Sequence, residues 1–142
     1  MQAIQLTKYG KPEEGLRLVE IAEPGAPRSS QILIRVEYAP INDSDLLVAS
    51  GLYAVQPKLP SGVGNEGAGK VLAIGDGVQN VKVGDRIVIP RGVFSWAEKV
   101  LASAEGAIVL PPEIDPPASG DAQHQSAGCS AASGGVRFSE AR

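Results

Sequence analysis

The stretch from Leu59 to Pro90, LPSGVGNEGAGKVLAIGDGVQNVKVGDRIVIP, constrains the fold of this chain more than any other part of it. Two apolar runs, Lys70-Val-Leu-Ala-Ile74 and Arg86-Ile-Val-Ile89, are rich in β-type residues and flanked by glycines, with Gly75-Asp76-Gly77 and Val83-Gly84-Asp85 between them. Such punctuation describes strands joined by tight turns, because those turns need positive φ, which glycine reaches cheaply. The centre of the chain is therefore expected to be β.

Within it, Gly62-Val-Gly64-Asn-Glu-Gly67 matches the pattern G-x-G-x-x-G letter for letter. That pattern binds a pyrophosphate only where a strand leads in and a helix leads out, so that the helix amides and dipole face the phosphates. Here Pro57-Lys58-Leu59-Pro60 precedes it and a β-like run from Ala68 follows. The dinucleotide reading of these glycines is rejected. Backbone crowding in a loop that leads into a strand explains them instead.

The other segments repeat the β pattern. Ala3 to Leu6 and Leu16-Arg-Leu-Val-Glu-Ile21 read as strands around a turn at Tyr9 to Gly15. Gln31 to Ala39 is the strongest candidate, with Ile32, Ile34, Val36 and Tyr38 on one face at period two. Phe94 to Ala102 and Ala107 to Pro111 add two more. One short helix is expected between Ile41 and Gly51: Asn42, Asp43 or Ser44 can cap its start, Leu46, Leu47 and Ser50 fit helical spacing, and Gly51 can close it. These elements predict a mainly β domain, partly closed like a barrel.

With 142 residues the chain can bury one sizeable core. Its 17 glycines and 11 prolines, spaced between apolar runs, favour short strands over long helices. The net charge of -3 gives no electrostatic reason to expect nucleic acid or an anionic membrane as a partner. No basic segment leads into an apolar one near Met1 and no apolar run approaches the roughly 20 residues of a bilayer span, so neither a secretory signal nor a membrane anchor is expected. A single cysteine, Cys129, suits a reducing compartment, and a cytoplasmic location is the default. Beyond Pro112-Glu-Ile-Asp-Pro-Pro117, the segment Ala118 to Arg142 is rich in Ser, Ala, Gly and Gln without apolar periodicity, and disorder is expected there.

Six short motifs occur in order: Asn42-Asp-Ser-Asp45, Ser50-Gly-Leu-Tyr53, Leu59-Pro60, Gly64-Asn-Glu-Gly67, Val83-Gly-Asp85 and Arg86-Ile-Val-Ile-Pro90. As a series they resemble the N-terminal GroES-like catalytic domain of the medium-chain dehydrogenase/reductase superfamily. The nearest branches are the zinc-free quinone oxidoreductases and, closer, the mitochondrial-type 2-enoyl thioester reductases. The resemblance covers residues 1–114 and implies a GroES-like, partly open β-barrel with a short helix, followed by an irregular tail over 115–142.

A catalytic zinc needs about three ligands from Cys, His and carboxylate, and neither Cys nor His precedes the tail. Zinc-dependent relatives place a Cys where this chain has Asn42 and a His where it has Asn65, so no metal is expected. Without a Lewis acid, reduction of a polarised C=C needs a hydride donor on one face and a proton donor near the other end. The resemblance assigns the second role to Tyr53 as the catalytic residue. It places Asn42 beside the nicotinamide of NADPH and Trp96 in the substrate pocket, with an enoyl thioester or a quinone as the small-molecule substrate. Each residue also has a plainer reading. Tyr53 is also an ordinary loop tyrosine, Asn42 a helix cap, and Trp96 a core residue. Glu66 bonded to backbone amides, and Asp43 and Asp45 as caps or solvated carboxylates, complete that set.

Members of the family hold NADPH in a Rossmann domain that follows this segment, and no such βαβ unit is present in the sequence. The domain is therefore expected to be inactive alone and to self-associate through the apolar face its partner would cover. A β-rich binding or assembly module without chemistry is the alternative. Back-translating Gly120 to Cys129 and reading one base later permits Ala-Met-Leu-Ser-Ile-Asn-Pro-Pro-Ala-Ala, which resembles the family's lead-in to its nucleotide domain. A frameshift in the gene is the expected origin of the tail. Sequencing the gene tests this: codons that exclude the alternative reading remove the idea.

Overall fold

The structure is a computed structural model that describes residues 1–112 and the backbone of Gly135–Val136. Strand β1 (Gln2–Leu6) is followed by a single helical turn α1 (Pro12–Gly15), β2 (Leu16–Glu20), the long β3 (Gln31–Pro40) and helix α2 (Asp43–Ser50). Then come β4 (Ser61–Gly62), β5 (Ala68–Ile74), β6 (Arg86–Val88), β7 (Lys99–Ser103), β8 (Ile108–Val109) and β9 (Gly135–Val136). All pairings are antiparallel and form two open sheets, in the order β2-β1-β4 and β7-β3-β5-β6-β8, with β9 beside the end of β3. The architecture is the mainly β, partly open barrel that the strand pattern predicts.

Alternation along β3 explains where the core lies. Ile32, Ile34 and Val36 are buried on its inner face and meet Val71 of β5, Ile87 of β6 and Leu6 of β1 in one apolar cluster. Burying such side chains contributes roughly 1.5–3 kcal/mol each. The expected alternation fails at Tyr38, which is only half-buried, while Ala39 is fully buried. A register shift against β5 between Val36 and Tyr38 is the cause, since one slipped residue moves the inward place to the next position.

The strand expected over Phe94 to Ala102 forms only from Lys99. Its first half serves instead as the joint between the sheets: Ile4 donates to the Trp96 carbonyl (2.8 Å), Trp96 to Val63 (3.1 Å) and Ser95 to Gly64 (3.1 Å). Ala3 also forms an isolated bridge with Ala97. This joint accounts for the glycine triplet. A Cβ on Gly62 would lie 2.7 Å from Phe94 Cβ, and one on Gly67 would lie 2.8 Å from the Tyr38 carbonyl oxygen. A Cβ on Gly64, whose φ is +89°, would lie 2.7 Å from the Trp96 indole nitrogen. Strand β5 follows the triplet, as the rejection of a phosphate loop requires.

The tail expected over 115–142 lies outside the described residues, except for Gly135–Val136. That pair forms backbone contacts with Ala39 and Pro40, which the tail's composition does not foretell. No helix among the described residues is long and apolar enough to cross a membrane.

Gly64→Ala is expected to lower unfolding stability by about 3 kcal/mol, combining left-handed strain with overpacking against Trp96. Gly77→Ala, at φ +79° but facing open space, is expected to cost about 1 kcal/mol. Denaturant unfolding of the two variants separates crowding from conformation.

Candidate functional site

Helix α2 forms where the sequence places it, with Asn42 at the N-cap in an extended conformation and Gly51 closing it at φ +75°. The face it turns inward is not the one that carries Leu46 and Leu47. Asp45 and Ala49 are buried, whereas Leu46 and Leu47 are 39% and 43% exposed. The cap explains the rotation. Asp45 reaches back to accept the Asn42 N–H at its Oδ2 (2.9 Å), and its Oδ1 accepts from the Asn65 side-chain amide (2.9 Å). Asp45 is 4% exposed, so the solvated-carboxylate reading fails for it and only the cap reading stands.

Asn42 then spends its side-chain amide on Glu66, donating to Oε2 at 3.2 Å. Glu66 therefore bonds a side-chain amide, where backbone amides were expected. Its own carbonyl accepts from Ser95 Oγ (2.6 Å), which ties the loop to the joint between the sheets. Two pairs result, Asn42 with Glu66 and Asn65 with Asp45. Burial holds the Asp45 carboxyl above the usual carboxylate range; the hydrogen bonds from Asn42 and Asn65 partly offset this, and the nearby Glu66 charge adds to it.

Tyr53 stands on the loop after α2, 42% exposed, and its hydroxyl has no hydrogen-bond partner among the described residues. It lines a hollow of about 200 Å³ together with Asp45, Asn65, Val55, Val63 and Phe94. A phenol there can donate to a carbonyl or deliver a proton to a molecule in the hollow. Asn42 does not line this hollow but sits one hydrogen bond behind it, through Asp45.

Trp96 is 3% exposed, its indole N–H donated to the Pro40 carbonyl at 3.2 Å. It borders a different cleft of about 460 Å³, between β1 and the segment 92–101. The structure thus brings Tyr53, Asp45 and Asn65 together and sets Trp96 apart from them. Phe94 and Asp45 were missed as lining residues. The spacing Asn42-x-x-Asp45 carried the signal for Asp45, whereas nothing local marks Phe94.

Among the described residues no group of three or more His, Cys, Asp and Glu side chains is placed to hold a metal ion. At the polar cluster, Asn42 and Asn65 present amide N–H groups to the carboxylates of Glu66 and Asp45.

Residues 28–112 match the alcohol dehydrogenase GroES-like domain. The chain is similar to the mitochondrial enoyl-acyl-carrier-protein reductase of Caenorhabditis elegans, 40% identical over 91 residues, or 63% of this chain and 26% of that protein. It is 32% identical over 111 residues to the human synaptic vesicle membrane protein VAT-1 homolog, covering 78% of this chain and 28% of the relative. Its fold is similar to that of Escherichia coli quinone oxidoreductase solved in complex with NADPH, with a TM-score of 0.74 and 35% identity over 82% of this chain and 35% of that one. The chain spans about a quarter to a third of the length of these relatives.

The Asp45 carboxyl is expected to titrate above an ordinary aspartate, read by carboxyl-carbon NMR. Its folded pKa is raised, so its contribution to stability is full below the unfolded value and is lost as pH rises through the folded one. Asp45→Asn keeps both bonds if Asn65 rotates its amide, and should flatten that slope in denaturant unfolding.

Proposed function

The chain belongs to the alcohol dehydrogenase GroES-like domain family, and from that premise we propose that it is the substrate-side domain of a zinc-independent, NADPH-dependent oxidoreductase, of the 2-enoyl thioester reductase type. The observation that carries this reading is the Tyr53 hydroxyl, without a partner among the described residues, in an apolar-walled hollow beside the Asn42–Asp45–Asn65–Glu66 cluster. When bound, NADPH supplies the hydride. Tyr53 holds the thioester carbonyl or delivers the proton that completes saturation of the C=C.

Asn42 is the residue we assign to the cofactor side. Glu66 holds its amide nitrogen and its side chain takes part in the capping box with Asp45, so its orientation is fixed. Phe94, Trp96 and the Tyr38 carbonyl crowd Gly62, Gly64 and Gly67, so the glycine triplet offers no cradle for a pyrophosphate. The nucleotide would be held by residues outside those described. Trp96 is proposed to shape the substrate side from the neighbouring cleft.

A quinone in place of the thioester is the second reading, favoured by the likeness to the Escherichia coli enzyme. A non-catalytic binding module is the third. The compartment is proposed to be reducing and aqueous, the cytoplasm or, as the name of the nematode relative indicates, the mitochondrion. Val55 and Phe94 are exposed at the hollow, and Leu46, Leu47 and Leu52 are exposed on α2 and the residue after its cap; we propose that these apolar side chains drive self-association of the isolated domain.

Hydride transfer needs donor and acceptor held together, and a polypeptide of these 142 residues supplies one side of that cleft. Its turnover with NADPH and a 2-enoyl thioester is expected to fall well below the ordinary enzyme range of about 1–1000 per second. Saturation-transfer NMR should still show thioester contact at Tyr53, weakened in Tyr53→Phe. Contact with a quinone alone supports the second reading, and binding of neither ligand supports the third.

A further inference from the structure

The outer face of the larger sheet carries a row of four cations set side by side. Arg35 of β3 is the register partner of Lys99 on β7 and of Lys70 on β5, and Lys70 is the partner of Arg86 on β6. Directly paired residues point to the same face, opposite the buried Ile34 and Ile87, and like charges placed so are destabilising. The row spans three interstrand gaps, about 14 Å. Glu37 compensates part of it, lying 3.0 Å from Arg86 without hydrogen-bond geometry at that oxygen and 3.9 Å from Arg35. Glu23 pairs with Lys99 at 2.5 Å. Lys70, inside the row, has no ion-pair partner among the described residues.

Beside the cations runs an apolar pair, Leu33 and Leu101, register partners two residues along β3 and β7 on the same face and half-buried. We propose that this face docks an amphipathic acidic helix of a partner protein, lying across the strands with carboxylates over the cations and apolar side chains over Leu33 and Leu101. An α-helix repeats one face every 5.4 Å or so, close to the roughly 4.8 Å between strands, so three turns match the row. Nucleic acid offers no apolar stripe. The net charge of -3 also opposes extended polyanions, whereas a helix seated within about 10 Å of the cations feels mainly their local field.

The test uses the 142-residue chain and a synthetic helical peptide of about 18 residues, with glutamates at every third or fourth position of one face and leucines beside them. Fluorescence anisotropy at low salt, about 0.05 M, should show binding that weakens as salt rises. Lys70→Glu should weaken it about tenfold and Lys70→Gln less, while Lys11→Glu, away from the sheet face, leaves it unchanged. A peptide with lysines at the contacting positions should bind Lys70→Glu better than the parent chain. Unchanged unfolding midpoints would show that the variants fold. The proposal is overturned by equal binding to Lys70→Glu and Lys11→Glu, by equal binding of a peptide with the same composition but scattered carboxylates, by tighter binding of a DNA duplex or an anionic vesicle, or by no binding at all.

Discussion

The packing of the Trp96 indole against Gly64 holds this domain together. A strand-rich chain of this size could close its sheets over each other or leave them splayed. Here the segment from Ser95 to Glu98 leaves the larger sheet and hydrogen-bonds to Val63, Gly64 and β1, so the two sheets meet at one joint. The indole fits because position 64 has no side chain and takes a backbone conformation that glycine tolerates. The Trp96 N–H reaches the Pro40 carbonyl and thereby fixes the end of β3, from which helix α2 departs. The placement of the hollow follows from that joint, since Phe94 and Val63 form one wall and α2 with its following loop forms another.

The second determinant is polar. An aspartate at the third position of a helix ordinarily faces water, yet Asp45 is nearly inaccessible because it satisfies the cap of its own helix and the amide of Asn65 at once. Turning it inward forces Leu46 and Leu47 outward. One carboxylate therefore fixes the loop that carries Asn65 and leaves apolar side chains on the surface. Burial costs the charged form free energy, and the two amide donors offset part of that cost.

Much of this was legible beforehand. The strands from Ala3 to Leu6, from Gln31 and from Arg86, the short helix with its Asn42 cap and Gly51 closure, and the structural role of the glycine triplet all follow from local rules. Periodicity, capping chemistry and turn residues act within a few positions of one another. The face that α2 buries was not legible, because helical spacing of Leu46, Leu47 and Ser50 does not say which side turns inward until Asp45 finds Asn65, 20 positions away. The inward place of Ala39 depends on a bulge made with β5, and the end of the expected strand before Lys99 depends on contacts with β1.

The chain's order of residues determined by itself that strands would dominate, where the helix would start and stop, and that amide side chains stand at positions 42 and 65. Those are properties of residue type and of neighbours along the backbone. Tertiary structure alone decided that Trp96 would sit in the joint and apart from the hollow of Tyr53. It alone aligned Lys99, Arg35, Lys70 and Arg86 into one row. The physical reason is common to both outcomes: each depends on strand register and crossing contacts between segments distant in sequence, and the energy that selects them exists only once the sheets have met.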